Sequence, residues 1–168
     1  MLYQVVAVAK NHVIGKSGEL PWDFGVIPAY FKEIVSGGTL ILGRKTWEGV
    51  GRSFPQGACF VLSKTCFGDD RDPRYFESLG EALNAVRTKD IFIGGGGDLY
   101  RQTVAFVDGI HCVRIDKDYD GDVFYPPVPG SFVERSRVLL QRRPRIEGFF
   151  YESKPAAKCC CRAKEQKP

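Results

Sequence analysis

Four consecutive glycines at positions 94–97 separate a strand-like segment from a helix-like one. Residues 91–93 are apolar and β-branched or aromatic, whereas residues 99–106 are compatible with a helix. A glycine backbone can approach a ligand closely, and the first N–H groups of a helix are unpaired and attract phosphate. This junction predicts a site for a phosphate-bearing cofactor. The alternative is a flexible turn, and the acidic Asp98 is unfavourable beside a phosphate.

The length of 168 residues predicts one domain with a substantial core. Its 43% hydrophobic and 26% charged residues are ordinary for a soluble globular protein. The net charge of +4 is mild and comes partly from the last residues. The sequence shows no dense basic face, so we predict no nucleic-acid partner. We expect no membrane span and no signal peptide, and therefore a cytoplasmic protein.

The six cysteines do not form a pattern typical of a disulfide framework. Cys59 and Cys112 lie in strand-like runs, where we expect reduced core residues, and Cys66 lies in a loop. The adjacent triplet 159–161 suits neither a disulfide network nor spaced zinc ligands, so no metal site is predicted. A disordered tail explains the triplet, with acylation or cross-linking of an oligomer as alternatives.

Strand and helix patterns alternate along the chain, which predicts a mostly parallel α/β sheet with helices on both faces. We expect a domain over residues 1–153 and a disordered tail rich in Cys and Lys over residues 154–168. The segments 11–23 and 116–129 are predicted to be loops. The predicted strands are 2–9, 39–42, 59–62, 91–93 and 109–115, with a closing antiparallel pair at 132–141 and 148–152. The predicted helices are 28–35, 44–50, 79–86 and 99–106.

Two further segments that follow predicted strands have side chains suited to phosphate. Gly43 permits a turn before a helix that begins near Arg44, with Lys45 and Thr46 beside it. Ser63-Lys64-Thr65 offers two hydroxyls and an ammonium group, which suits a ribose 2′-phosphate and indicates NADPH rather than NADH. Taken singly, each segment is better explained as a capped helix or a solvated lysine. Together they lie at the sheet edge where open α/β sheets bind ligands.

Eight short motifs follow one another in a fixed order along residues 2–152. They are Val13-Ile14-Gly15, Leu20-Pro21-Trp22, Phe31-Lys32, Gly43-Arg44-Lys45-Thr46-Trp47-Glu48, Gly51-Arg52-Ser53-Phe54-Pro55, Leu62-Ser63, Gly95-Gly96-Gly97 with Tyr100, and Gly121-Asp122. In this order and spacing, the chain resembles dihydrofolate reductase. The resemblance implies an eight-stranded, mostly parallel central sheet with flanking helices and a C-terminal antiparallel strand pair. It also implies NADPH, hydride transfer to a C=N bond, and a mobile loop over residues 15–22 that closes over the nicotinamide.

The resemblance also implies a division of the site into a cofactor part and a substrate part. The residues expected to bind the cofactor are Ala7, Ile14, Gly15, Gly43, Arg44, Lys45, Thr46, Ser63, Lys64, Gly95, Gly96, Gly97, Asp98 and Leu99. Those expected at the substrate are Val5, Leu20, Trp22, Ile27, Tyr30, Phe31, Val50, Phe54, Gly94 and Val113.

The substrate part departs from the family pattern at four positions. Ile27 replaces the carboxylate that anchors and helps to protonate the pterin, and Val113 replaces the Thr that bonds to it. Gly94 replaces an Ile or Val, and Gly57 replaces an Arg that grips the glutamate tail of folate. A one-residue slip would make Asp23 the family acid, but the motifs on both sides match without a change in length.

The leading hypothesis from sequence is an NADPH-dependent reductase of an imine or iminium bond in a non-folate small molecule, in specialised biosynthesis. One alternative is a true dihydrofolate reductase with altered pterin contacts; another is an NADPH-binding pseudoenzyme or interaction protein. Tyr100 is the first candidate proton donor, although packing against nicotinamide explains it equally well. Asp23 is second and Tyr30 third. The substrate, its stereochemistry and the oligomeric state stay open.

Overall fold

The computed structural model describes residues 1–50, 59–65 and 74–154. Its main sheet has eight strands in the order β5-β4-β3-β6-β1-β7-β10-β9. All neighbours are parallel except β10, which runs antiparallel to both β7 and β9. The strands are β1 Leu2–Ala9, β2 Val13–Gly15, β3 Thr39–Gly43, β4 Cys59–Leu62, β5 Arg74–Phe76, β6 Ile91–Ile93, β7 Gly109–Ile115, β8 Val123–Phe124, β9 Phe132–Arg142 and β10 Arg145–Ser153.

Within the described residues, four helices flank the sheet: α1 Val26–Ile34, α2 Arg44–Val50, α3 Leu79–Ala85 and α4 Gly97–Thr103. Helix α1 begins two residues earlier than predicted, with Pro28 tolerated in its first turn because the N–H groups there need no helical partner. Helix α3 begins as predicted, because the Ser78 side chain accepts a hydrogen bond from the Glu81 N–H. Helix α4 includes Gly97 and ends at Thr103, so the predicted helix 99–106 was shifted.

Three short strands were not predicted. β2 and β8 pair antiparallel in a second, two-stranded sheet inside the two segments that were expected to be loops. β5 adds an outer strand beside β4. β2, β5 and β8 have two or three residues each, too few to show alternation, and their pairing with neighbouring strands defines them.

The two faces of the sheet carry separate hydrophobic cores, because successive side chains of a strand point to opposite faces. Val5 and Ala9 of β1 belong to the first core, which we call the α1 core and which includes Ile27 and Phe31 of α1. Val6 and Val8 belong to the second, the α4 core, which includes Leu99 and Tyr100 of α4. β1 is therefore buried on both faces, as its apolar sequence predicts.

Several sequence expectations concern single residues. Cys59 and Cys112 are buried, and burial raises the pKa of the Cys112 thiol to about 12. Cys66 and the triplet 159–161 lie outside the described residues, as does the tail beyond residue 154, so the domain boundary stays a prediction. None of the described helices is long and apolar enough to cross a membrane.

Candidate active site

A cavity of about 1420 Å³ lies at the edge of the sheet where the parallel strands end. Its wall is built from the residues that follow β3, β4 and β6, from α1 and α2, and from the loop after β2. Open α/β sheets bind ligands at this edge because strand ends and helix starts meet there. The cavity is large enough for a dinucleotide and a second molecule side by side.

Two glycine backbones meet in the floor of this cavity. The Gly43 N–H donates to the Gly95 carbonyl at 2.7 Å, joining the end of β3 to the turn after β6. A Cβ on Gly43 would lie 3.5 Å from the Gly96 nitrogen, and a Cβ on Gly96 would lie 3.2 Å from Thr46 Oγ1. The glycine backbone lines the cavity without side chains of its own and can approach a ligand closely. These residues thus fit a phosphate-bearing cofactor.

Gly95 is the most constrained residue of the glycine turn. Its φ of +111° is a conformation that L-residues rarely adopt, and a Cβ would lie 3.1 Å from the Tyr100 hydroxyl oxygen. Tyr100 is buried, and its hydroxyl donates to the Val5 carbonyl at 2.7 Å. The turn therefore rests on an aromatic ring that β1 holds in place.

The charges beside the glycine turn occur in pairs. Asp98 forms an ion pair with Arg101, three residues later on α4, and Arg44 forms one with Glu48 at 2.9 Å on α2. A negative charge at Asp98 would be unfavourable beside a phosphate. The positive charge of Arg101 compensates it. Among the described residues, Lys64 forms no ion pair, and it lines the cavity.

The other half of the cavity is apolar. Ile27 is 2% exposed and stands in the wall with Phe31 and Val5. Trp22 also lines this half, and its buried Nε1 has no hydrogen-bond partner among the residues that the structure describes. A buried N–H without an acceptor is unfavourable, so this group suits an acceptor atom of a ligand or a water molecule.

The structure brings most of the predicted site residues to this one cavity. All fourteen residues predicted for the cofactor line it, as do both first candidates for catalysis, Tyr100 and Asp23. From the substrate list, the residues that line it are Val5, Leu20, Trp22, Ile27, Phe31, Val50 and Gly94.

Two predicted substrate residues are placed elsewhere. Tyr30 does not line the cavity; its ring covers β10, where a Cβ on Gly148 would lie 2.8 Å from the Tyr30 hydroxyl oxygen. Val113 is fully buried in the α1 core, in the same cluster as Ile27 and behind the cavity wall. Neither side chain lines the cavity in this structure, and a contact of either residue with the substrate stays a prediction. Phe54 and Gly57 lie outside the described residues.

Gly94 bears on the predicted substrate part. The resemblance implies that Gly94 faces the substrate and lacks a side chain that a pterin site would use. A Cβ on Gly94 would lie 2.5 Å from Cδ2 of Leu42 and 2.9 Å from Cδ1 of Leu40. Side chains of β3 fill that space, so Gly94 meets the cavity only through its backbone.

The two candidate proton donors differ in their surroundings. Burial raises the pKa of Tyr100, and its proton is already engaged with the Val5 carbonyl, so donation to a ligand would break that bond. Asp23 is exposed at the cavity rim, without such a partner among the described residues. The geometry favours a packing role for Tyr100 beneath the cofactor part and leaves Asp23 open to the cavity.

The loop after β2 covers one side of the cavity. Its Lys16 bonds to Asp120 at 2.5 Å, and the Ser17 N–H donates to Asp122 at 3.0 Å. At its tip, the Gly18 carbonyl oxygen lies 2.8 Å from where a Cβ on Gly49 of α2 would be. The loop therefore reaches from the small sheet across to α2.

Comparisons with known proteins agree with this arrangement. The family model described as dihydrofolate reductase matches residues 1–143. The chain is 36% identical over 123 residues to dihydrofolate reductase of Haemophilus influenzae, covering 73% of this chain and 76% of that protein. It is 34% identical over 131 residues to dihydrofolate reductase type 15 of Escherichia coli, covering 76% and 83%.

The chain belongs to the dihydrofolate reductase family. A solved structure of dihydrofolate reductase from Enterococcus faecalis, complexed with NADP(H) and RAB-propyl, superposes with a TM-score of 0.79 and 25% sequence identity. The match covers 92% of this chain and 97% of that one. The predicted family and the predicted α/β fold with its C-terminal antiparallel pair are confirmed.

NADPH is the cofactor of this dihydrofolate reductase family member, and its chemistry is that of an oxidoreductase. The glycine turn, Arg44, Lys45 and the Ser63-Lys64 pair are the residues that would hold it, since they line one continuous wall. When bound, NADPH supplies a hydride.

Some wall residues escaped the sequence reasoning. Arg101 and Gln102 line the cavity from α4, and Glu77 and Ser78 line it from the start of α3. For Arg101 a signal existed, because it lies in the predicted helix 99–106, three residues after Asp98, which directly precedes that helix. For Glu77 none did, since only the pairing of β5 with β4 brings it to this edge.

Proposed function

We propose that this chain reduces dihydrofolate to tetrahydrofolate with NADPH, without a carboxyl side chain buried beside the substrate to protonate it. The observation that carries the proposal is one cavity in which the glycine backbone of the cofactor part adjoins an apolar wall that includes Ile27 and Phe31. The names of the relatives support dihydrofolate as the substrate. They give no support to the non-folate substrate favoured by the sequence.

The reaction needs a hydride on the carbon and a proton on the nitrogen of a C=N bond. The family position for the acid holds Ile27, whose side chain has no proton to give. The proton then has to come from water that reaches the pocket, or from Asp23 at its rim. The Trp22 N–H is suited to hold such a water or an acceptor atom of the substrate.

The source of the proton determines how the rate of dihydrofolate reduction depends on pH. If only substrate already protonated in solution accepts the hydride, the rate falls about tenfold per pH unit above the pKa of the substrate. If Asp23 delivers the proton, Asp23→Asn lowers the rate and changes that slope. A pH profile of dihydrofolate reduction by wild type and Asp23→Asn therefore separates the two routes.

A second candidate rests on a specific observation, the apolar pair Ile27 and Val113 in one core cluster. An apolar pocket suits a cyclic iminium substrate that arrives protonated and needs only a hydride. That substrate would be a small cyclic imine other than a folate.

The deciding experiment measures NADPH oxidation from pH 5 to pH 9, with dihydrofolate and with a panel of small cyclic imines. Turnover of dihydrofolate that rises towards acid supports the first proposal. Turnover of a cyclic imine with no dihydrofolate turnover at any pH overturns it in favour of the second. NADPH binding without oxidation by any of these compounds overturns both and indicates a binding protein.

A further inference from the structure

Gln4 is a fully buried polar side chain within the otherwise apolar strand β1. Its Nε2 donates to the Tyr100 carbonyl at 3.0 Å and to Thr103 Oγ1 at 2.7 Å, and its Oε1 accepts from the Tyr125 hydroxyl. The Thr103 hydroxyl in turn donates to the Leu99 carbonyl at 2.8 Å. Both N–H groups and the oxygen of the amide thus have partners inside the α4 core.

These bonds fix α4, the helix that begins at the glycine turn. A helix of seven residues is too short to be stable by itself, so tertiary contacts determine its position. β1 holds Tyr100 at two points: Gln4 binds its carbonyl, and the Val5 carbonyl accepts its hydroxyl. The Tyr100 ring packs against Gly95, so a shift of the ring would directly move the glycine turn that faces the cofactor.

Tyr125 extends the same network to the small sheet. Its N–H donates to the His12 carbonyl at 3.0 Å, and its ring meets the Tyr100 ring edge to face at 5.2 Å. Val123, two residues earlier, lies 2.7 Å from where a Cβ on Gly97 would be. Helix α4 and strand β8 meet at Gly97. The side-chain amide of Gln4 is hydrogen-bonded both to α4 and to Tyr125, the residue that follows β8.

We propose that Gln4 is a positioning residue for the cofactor: through Thr103, Tyr100 and Tyr125 it sets where the glycine turn presents its backbone to NADPH. Gln4, Thr103 and Tyr125 do not line the cavity, so they act only through the elements they hold. The proposal concerns cofactor binding and does not depend on which substrate is reduced.

A positioning role and a merely structural role predict different results. A buried amide that loses one partner destabilises the fold, whereas replacing both partners by apolar groups restores much of the stability. If Gln4 only stabilises the fold, NADPH affinity recovers together with stability. If Gln4 positions the turn, affinity stays low after stability has recovered.

The experiment measures the Kd for NADPH without substrate, by quenching of protein fluorescence, together with the Tm of each full-length variant. Tyr125→Phe and Thr103→Val each remove one hydroxyl, and Gln4→Leu removes the amide. Gln4→Leu with Tyr125→Phe removes both partners of one bond. Thr103→Ser keeps its hydroxyl and serves as the conservative variant.

Thr39→Val is the matched control. Thr39 is buried, and its hydroxyl pairs with that of Thr88 at 2.8 Å, but neither residue lines the cavity. We expect Thr39→Val to lower the Tm much as Tyr125→Phe does, with the Kd for NADPH within twofold of wild type.

We expect Tyr125→Phe, Thr103→Val and Gln4→Leu to raise the Kd about three- to tenfold, and Thr103→Ser to stay within twofold. The double variant should regain Tm but keep the raised Kd. The proposal is overturned if the Kd of Tyr125→Phe and Thr103→Val stays within twofold of wild type, if Thr39→Val raises the Kd as much, or if the double variant regains affinity with Tm. Should Gln4→Leu fail to fold, the hydroxyl variants decide.

Discussion

The cofactor part and the substrate part of the cavity are built from different materials. The cofactor part consists largely of backbone: Gly43 and Gly95 joined by a hydrogen bond, and Gly96 close to Thr46. The substrate part consists of side chains, among them the buried Ile27 and Phe31. A site made of backbone tolerates changes in neighbouring side chains, whereas chemistry that depends on one side chain changes with one substitution.

The two parts also differ in charge. Arg44 and Lys64 face the cofactor part, whereas Ile27 and Phe31 make the wall of the substrate part apolar. This member of the dihydrofolate reductase family therefore combines a cofactor half that carries basic side chains with an apolar substrate half. Substitutions that change the charge or the backbone freedom of one half test this contrast directly.

The largest effect is expected at Ile27. Ile27→Asp buries a carboxylate at a site that is 2% exposed, and an unpaired buried charge costs about 3–5 kcal/mol of folding free energy. Urea unfolding at pH 7, followed by circular dichroism, measures the loss. The loss should shrink towards pH 5, where the carboxyl becomes neutral.

Two variants control that result. Ile27→Leu keeps volume and polarity and should cost less than about 1.5 kcal/mol. Adding Val113→Thr to Ile27→Asp supplies a hydroxyl in the same core cluster and should return about 1 kcal/mol. Equal stability of Ile27→Asp and Ile27→Leu would mean that water already solvates this wall, contrary to the proposed apolar half.

The next effect is expected in the cofactor half. Gly95→Ala places a Cβ 3.1 Å from the Tyr100 ring at a φ of +111°, which costs about 1–3 kcal/mol. Because the cradle must shift, the Kd for NADPH should rise about tenfold or more, as equilibrium titration would show.

Gly80→Ala is the control for this substitution. Gly80 lies in α3, and a Cβ there would meet nothing within 4 Å. The Kd should stay unchanged, and stability should rise by about 0.5–1 kcal/mol. An unchanged Kd in Gly95→Ala would show that the glycine turn does not form the cofactor cradle.

An intermediate effect is expected away from both halves, at His111. Burial lowers the pKa of His111 from 6.5 to about 4, and its ring stacks on Phe150 at 4.6 Å. Between these values the unfolded chain binds the proton and the folded chain does not. Stability is therefore fully present above pH 6.5 and falls towards pH 4, by about 1–2 kcal/mol for this partly exposed group.

His111→Phe keeps an aromatic ring but cannot titrate. Chemical unfolding of both proteins at pH 7, 6, 5 and 4 should give a shallower decline for the variant. Parallel declines would contradict the expectation and would assign the acid sensitivity to carboxylates alone. Because His111 lies outside the cavity, the NADPH affinity of the folded protein should not follow this transition.

The smallest effect is expected at Lys64. Removing its ammonium in Lys64→Ala should raise the Kd for NADPH about three- to tenfold and leave the Kd for NADH unchanged, if the residue meets the 2′-phosphate. The difference should shrink at 0.5 M salt because exposed charges are screened. Lys32→Ala, on an exposed residue that does not line the cavity, is the control. Equal losses of affinity for NADPH and NADH would show that Lys64 does not contact the 2′-phosphate.

The sequence predicted those parts of the molecule that local patterns determine. Long apolar strands such as β1 and β7, the cap at Ser78, and the glycine junctions all carry signals within a few residues. The start of α4 was misplaced because glycines disfavour helices, yet the Tyr100 N–H bonds to the Gly96 carbonyl at 3.0 Å. Tertiary contacts outweigh propensity there.

Contacts between distant segments were beyond sequence reasoning. Gln4 meets Tyr125 across 121 positions, and nothing in an apolar strand indicates where a single amide finds partners. Likewise, the sequence showed that Gly94 lacks a side chain, but only the structure shows that Leu42 occupies the space. In the same way, only the structure shows that the Tyr30 ring lies against Gly148 of β10.

The two cores on opposite faces of the sheet have a practical consequence for laboratory evolution. Val5 and Ala9 serve one core, and Val6 and Val8 serve the other, so β1 is a partition between them. Substitutions without shared partners usually have additive effects on stability. Stabilising changes selected in the α4 core should therefore offset losses of stability from a redesigned substrate wall in the α1 core. A library of α4-core variants and a library of α1-core variants can be screened separately, and their best substitutions can then be combined.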